Sequence, residues 1–310
     1  MNRLLIDTDP GEDDALAIMM AAAHPHTKIE AIIVAAGNVG LHHTTNNAAV
    51  ILDRLGLDVP IYAGCKNALV QNTQDASHAH GLDGLGNTGY RSERTIESAH
   101  GSAEIVRRVN AEPGELTLVT LGPLSNIAVA LHLDPDLPSK IKRTVAMAGA
   151  VTGHGNTNVC TEFNVFADPE AAHFVFEAWG AAGKMIEVAD WELATRHGFT
   201  KQDRAGWVEL DTPLSDFFAA ISAHSNRFIE EFRGRTVNFF ADPVAMAVVL
   251  EPEIIKRRAQ HHLGIELNGS LSRGQTIVDW LDASGRQTNA DIIQEIDQGR
   301  LLELALMAQR

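Results

Sequence analysis

The run Asp7-Thr8-Asp9-Pro10-Gly11-Glu12-Asp13-Asp14 crowds carboxylates into a short stretch, with a Pro-Gly turn between Asp9 and Asp13. A turn there can fold the acids toward one another, and such oxygen-rich clusters hold a hard divalent cation whose charge offsets their repulsion. The same residues fit a plainer reading. Asp7 and Asp9 can terminate a strand while Asp13 and Asp14 favour the positive end of a following helix. Asp242 interrupts the apolar run NFFADPVAMAVV. Buried there, it needs a cation or several donors, unless it caps a helix beginning near Pro243. A third polar set, Asn156, Glu162 and Asn164 in GNTNVCTEFN, offers hydrogen bonds suited to sugar hydroxyls, with Phe163 and Phe166 as apolar walls; a capped loop before a helix reads equally well.

Positioning such residues requires elements that end where they stand. LLIDTD reads as a buried strand and DDALAIMMAAAH as the helix after it, followed by KIEAIIVAAGN as a strand and TTNNAAVILDRLG as a helix. VPIYAG, ELTLVTLG, RTVAMAGA and KMIEVA continue as strands, with SAHGSAEIVRRVNAEPG, PLSNIAVALHLDP, a helix entered near Asp168 and Pro169, and SDFFAAISAHSNRFIEEF as helices. The repeated switch of period predicts αβ units in one mixed α/β domain, residues 1–310, its mainly parallel sheet flanked by helices. Residues 64–97 are rich in Gly, Asn and His, and a long irregular stretch of this kind suits the mouth of a ligand site.

The 310 residues carry 25 Lys and Arg against 40 Asp and Glu, a net charge of -15 that disfavours a nucleic-acid footprint. At 45% apolar and 21% charged residues the chain can build a large core. No apolar run approaches the roughly 20 residues of a membrane span. Two cysteines are too few for a disulfide scaffold, so the expectation is a cytoplasmic protein with no membrane partner.

The opening DTDPGEDDA, with AAGN at 35–38, HGLDGLG at 80–86, LGPLSNIA at 121–128, GN at 155–156, EFN at 162–164 and ADPVAMA at 241–247, resembles the nucleoside N-ribohydrolases, also called the inosine-uridine preferring nucleoside hydrolase family. The resemblance implies a single-domain α/β hydrolase with one Ca²⁺ at the C-terminal edge of its sheet. It implies Asp9, Asp14, Asp242 and the carbonyl of Leu121 as ligands, with Asp7 as support. It further implies that Asp13 and Asn38 position ribose and water, that Met147, Asn156, Glu162 and Asn164 contact the ribose, and that Asp9 is the general base. The implied reaction is attack of water on the anomeric carbon of a ribonucleoside, giving ribose and a free base, in a homodimer or homotetramer.

The chain departs from the family pattern at Ala241, where relatives have a His beside the metal-binding Asp; Ala cannot protonate a departing base. His80 and His224 are the candidates for leaving-group contact, each also readable as an ordinary loop or helix residue. Trp191, in ADWELATR, either packs the base or anchors the rim. No G-x-G-x-x-G follows the first strand, and neither a Walker motif nor a Ser elbow is present. A noncatalytic nucleoside- or sugar-binding protein and a metal-dependent phosphatase are the competing classes.

Overall fold

The computed structural model describes every residue except Thr73 and Arg233. Its strands are β1 (Asn2–Thr8), β2 (Thr27–Val34), β3 (Ile61–Ala63), β4 (Leu116–Thr120), β5 (Arg143–Ala146), β6 (Ile186–Val188), β7 (Phe199–Thr200), β8 (Val237–Asn238), β9 (Ile255–His261), β10 (Leu263–Ile265), β11 (Thr276–Val278) and β12 (Ala290–Ile296). The helices are α1 (Glu12–Ala23), α2 (Leu41–Leu55), α3 (Ser77–His80), α4 (Gly101–Ala111), α5 (Ser125–Leu133), α6 (Leu137–Lys140), α7 (Phe163–Ala167), α8 (Pro169–Ala181), α9 (Trp191–Arg196), α10 (Lys201–Val208), α11 (Pro213–Phe232), α12 (Ala241–Leu250) and α13 (Gln298–Met307).

The main sheet, as traced through the described residues, runs β3-β2-β1-β4-β5-β6-β12-β9. All its pairings are parallel except β12 with β9 at one edge. From β1 the chain steps outward through β2 and β3, then returns to place β4 on the other side of β1. That reversal opens a crevice beyond the carboxyl ends of β1 and β4, the place where open α/β sheets take ligands.

Strand alternation builds a core on each face. Leu4 and Ile6 of β1 join α1, α2, α12 and α13 on one side; Leu5 joins Ile33, Leu118 and residues of α4, α5 and α8 on the other. The same alternation decides the fate of the first acids. Asp7 follows Leu5 onto the α5 face, where its carboxylate accepts from Asn126 Nδ2 at 2.7 Å. Thr8 follows Ile6 toward α1 and donates its hydroxyl to Asp14. Helix α1 is apolar almost all round and correspondingly buried against α12, which fixes both helix starts beside the strand ends.

Among the described residues no helix is long and apolar enough to cross a membrane. The irregular stretch after β3 does form a cavity mouth: Ala76, His78, Ala79 and His80 line it. It is nevertheless well tied down. Asp83 accepts the backbone N–H groups of Leu85, Asn87 and Gly89, while Asn47 of α2 donates to the carbonyls of Pro10 and Asp83.

Candidate active site

A cavity of about 600 Å³ opens at the crevice, with carboxylates at its floor and aromatic rings toward its rim. Asp9 follows β1, Asn38 follows β2, Leu121 follows β4, Met147 follows β5 and Trp191 follows β6. All except Asp9 are on the cavity lining, together with Asp13, Asn156, Glu162, Phe163, Asn164 and Asp242. Asp9 sits beneath them. Its Oδ2 accepts the Asn38 N–H at 2.7 Å, whereas Oδ1 is buried and, among the described residues, has no hydrogen-bond partner. Two glycines make room for this carboxylate: a Cβ on Gly37 would lie 2.0 Å from Oδ2, and one on Gly122 would lie 2.5 Å from Oδ1.

Asp14 satisfies both sequence readings at once. It caps α1 by accepting from Gly11 N at 2.8 Å, and also accepts from Thr8 and from Asn38 Nδ2 at 3.1 Å. Asp242 does not cap its helix. Helix α12 begins at Ala241 with no side-chain cap, so Asp242 falls inside the first turn, 3% exposed, and its carboxyl meets that of Asp14. Asp13, Asp14 and Asp242 each offer an oxygen within 4.8 Å of the others. The sequence reading grouped Asp9 with Asp14 and Asp242 as ligands; Asp13 stands with Asp14 and Asp242, and the charges of Asp9, Asp14 and Asp242 act on one another.

Burial, then the charges of Asp14, Asp13 and Asp9, push Asp242 well above the ordinary carboxylate range. Burial followed by Asp14 does the same to Asp9, against the Asn38 N–H that favours the charged form. Burial lifts Asp13 to about 7 although the charge of His80 opposes it. Asp7, off the cavity, is raised to about 7 by burial. Acids packed this closely hold protons unless a cation replaces them. The orphaned Oδ1 atoms of Asp9 and Asp13 and the all-oxygen donor set fit a hard dication.

The ribose candidates are already engaged in bracing the floor. Asn164 Nδ2 donates to the carbonyl of Leu121 at 2.7 Å and to that of Met147 at 3.1 Å. Leu121 keeps a second lone pair on that oxygen. Glu162 is the N-cap of α7, its carboxylate taking N–H groups from Gly149, Asn164 and Val165, and burial raises it to about 7 despite them. The capped-loop reading therefore holds at Glu162 even as it lines the cavity. Asn156 Oδ1 is buried without a partner.

At the other end, Trp191 meets Phe239 edge-on at 5.9 Å, and Phe228, Phe240 and Arg235 complete that wall. Sequence reasoning missed Phe239 and Arg235, which sit in an irregular approach to α12 with no periodic signal. Phe166 does not line the cavity; its carbonyl accepts from Gln71 instead. His224 also stands off the lining, one residue from Ser225, with its ring against Asn87 and the His78 carbonyl. His80 does line the cavity, and its Nδ1 lies 2.6 Å from Glu12.

A mainly parallel α/β sheet carrying a buried, oxygen-rich acid cluster under a polar and aromatic cavity at its switch point defines a protein whose site can hold a divalent cation beside a small polar ligand. The sequence profile of the inosine-uridine preferring nucleoside hydrolase family matches residues 4–303, and the chain belongs to that family. It is 34% identical over 300 residues to the inosine-uridine preferring nucleoside hydrolase of Leishmania major, covering 95% of this chain and 93% of that protein. It is 33% identical over 297 residues, with the same coverage, to the pyrimidine-specific ribonucleoside hydrolase RihB of Escherichia coli strain K12. A solved inosine-guanosine nucleoside hydrolase superposes with a TM-score of 0.92 at 30% identity, covering 99% of this chain and 98% of that one. The chain is thus a ribonucleoside N-ribohydrolase, splitting nucleosides into ribose and free base.

Proposed function

We propose that residues 1–310 form one catalytic domain that hydrolyses ribonucleosides with the help of a single Ca²⁺, held by Asp9, Asp14, Asp242 and the Leu121 carbonyl. The convergence of Asp9, Asp13, Asp14 and Asp242 beneath a nucleoside-sized cavity is the observation that carries this reading. A bound dication offsets the mutual repulsion of these carboxylates and polarises the oxygen atoms that reach it.

Asp9 is the general base. Its Oδ2 is fixed by the Asn38 N–H; Oδ1, unpartnered and closed off beneath the cavity floor, takes the proton of the water attacking the anomeric carbon once a shift of the floor opens it to the cavity. Positive charge grows on the ribose as the bond to the base breaks, and the surrounding carboxylates stabilise it. Asp13 accepts from the 2′-OH, Asn156, Glu162 and Asn164 orient the remaining hydroxyls, and Asn38 and Met147 shape the same subsite. Phe163 and Trp191 border the base. His224 is left out of this reading because its ring is engaged with the loop.

The names of the relatives span inosine, uridine, guanosine and pyrimidines, so they support a ribonucleoside class rather than one base. The two unpaired cysteines support a reducing, cytoplasmic setting. Inosine, adenosine, guanosine, uridine and cytidine, each beside its 2′-deoxy counterpart, form the deciding panel, with and without chelator. Base and ribose should appear in equal amounts, and kcat/KM should fall about 100-fold or more without the 2′-OH, as when a buried polar site loses its partner. Equal rates for every ribo/deoxy pair overturn the Asp13 assignment; binding with no product marks a nucleoside-binding protein, and phosphate release from a nucleotide marks a phosphatase.

A further inference from the structure

Ala241 leaves the departing base without a proton donor at that position, and three histidines line the cavity: His78, His80 and His154. His78 and His154 are exposed. His80 is largely enclosed, its side chain 15% exposed, and it is anchored to a residue of α1. Its Nδ1 lies 2.6 Å from Oε2 of Glu12, a carboxylate that is itself buried at the edge of the cavity. Gly11 gives the ring its place, since a Cβ there would lie 2.7 Å from Nδ1. Among the described residues Nε2 has no hydrogen-bond partner.

We propose that Glu12 is a positioning residue that accepts the Nδ1 proton of His80 and thereby presents the opposite ring nitrogen, Nε2, to the departing base as its proton donor. The inference rests on the hydrolytic reading above and supplies the group that Ala241 lacks. As the C1′–N bond breaks, its electron pair stays on the base and the Nε2 proton passes to a nitrogen or oxygen of that base. The attacking water gives its oxygen to C1′ and a proton to Asp9, and exchange of that proton through solvent to Nε2 restores both groups.

The test compares inosine or uridine with 4-nitrophenyl β-ribofuranoside, whose leaving group needs no proton, using calcium-saturated protein whose metal affinity is checked by calorimetry. In Glu12→Gln the ratio of kcat/KM for the nucleoside to that for the nitrophenyl riboside should fall about ten-fold or more, in kcat rather than KM. His80→Ala should lower the same ratio, and Glu12→Gln added to it should lower it little further. Glu12→Asp, which keeps the carboxylate but shortens its reach to Nδ1, should give a partial drop. An unchanged ratio in both Glu12 variants, or full additivity of Glu12→Gln with His80→Ala, overturns the proposal. Failure of the wild-type protein to cleave either substrate would instead overturn the hydrolytic reading itself.

Discussion

Asp242→Asn should make the chelated protein more stable and the calcium-loaded protein less stable than wild type. Asp14 and Asp242 present oxygens within 4.8 Å of each other in a fully buried setting. Two unit charges at that distance repel by about 3.5 kcal/mol at an effective dielectric constant near 20. Because burial and the neighbouring carboxylates hold Asp242 well above the ordinary range, it keeps a proton without calcium, and the relief on substitution is smaller, about 1–3 kcal/mol. For a chain of 310 residues that corresponds to a rise in Tm of about 1.5–4.5 °C in chelator. Calcium at about 1,000 times its Kd stabilises the wild-type protein by about 4.1 kcal/mol through binding only the folded form, more than the relief, and the variant should lose most of that gain. Differential scanning calorimetry in EDTA and across a calcium titration reads both effects. The order of the two proteins should invert between the conditions. A variant destabilised equally in both, or one that keeps the full calcium response, refutes the placement of the ion at Asp242.

Gly122→Ala should cut kcat by about 100-fold with the protein still folded, because its Cβ would stand 2.5 Å from Asp9 Oδ1 and must displace the base; Gly40→Ala, whose Cβ meets open space, is the control, and equal activity of the two variants would count against Asp9. Burial raises Asp190 to about 6, so the folded protein keeps a proton that the unfolded chain releases near pH 4. The resulting stability is complete below about pH 4 and is lost as pH rises through about 6; Asp190→Asn should flatten urea-unfolding stability over that window, and an unchanged slope would contradict the assignment. Multi-angle light scattering over a concentration range should give a homodimer or homotetramer, an expectation that a stable monomer would end.

Contiguous residues made their own case. Alternation in LLIDTD, the acid-rich start of DDALAIMMAAAH and the return of strand patterns after each helix specify a parallel α/β sheet, because period and residue type act over a few neighbouring positions. The N-terminal acids fall within one strand-turn-helix unit, and so their convergence was legible from spacing. What joins distant segments was decided by strand order and burial. Only the reversal between β1 and β4 brings Leu121 beside Asp9, and only the packing of α12 on α1 turns Asp242 from a helix cap into the partner of Asp14. The same long-range geometry grouped Asp13 with Asp14 and Asp242, left Phe166 and His224 off the cavity, and added Phe239 and Arg235 to its wall. Glu12 read in sequence as one more acid at a helix start; its role emerges because the loop ending at His80 closes over the first turn of α1, a contact set by neither residue's neighbours in the chain. Sequence by itself determined the layered fold and the acid-rich turn, since local periodicity and chemistry act within reach of the chain, whereas the tertiary structure alone decided which side chains share the cavity, since that depends on how buried faces meet.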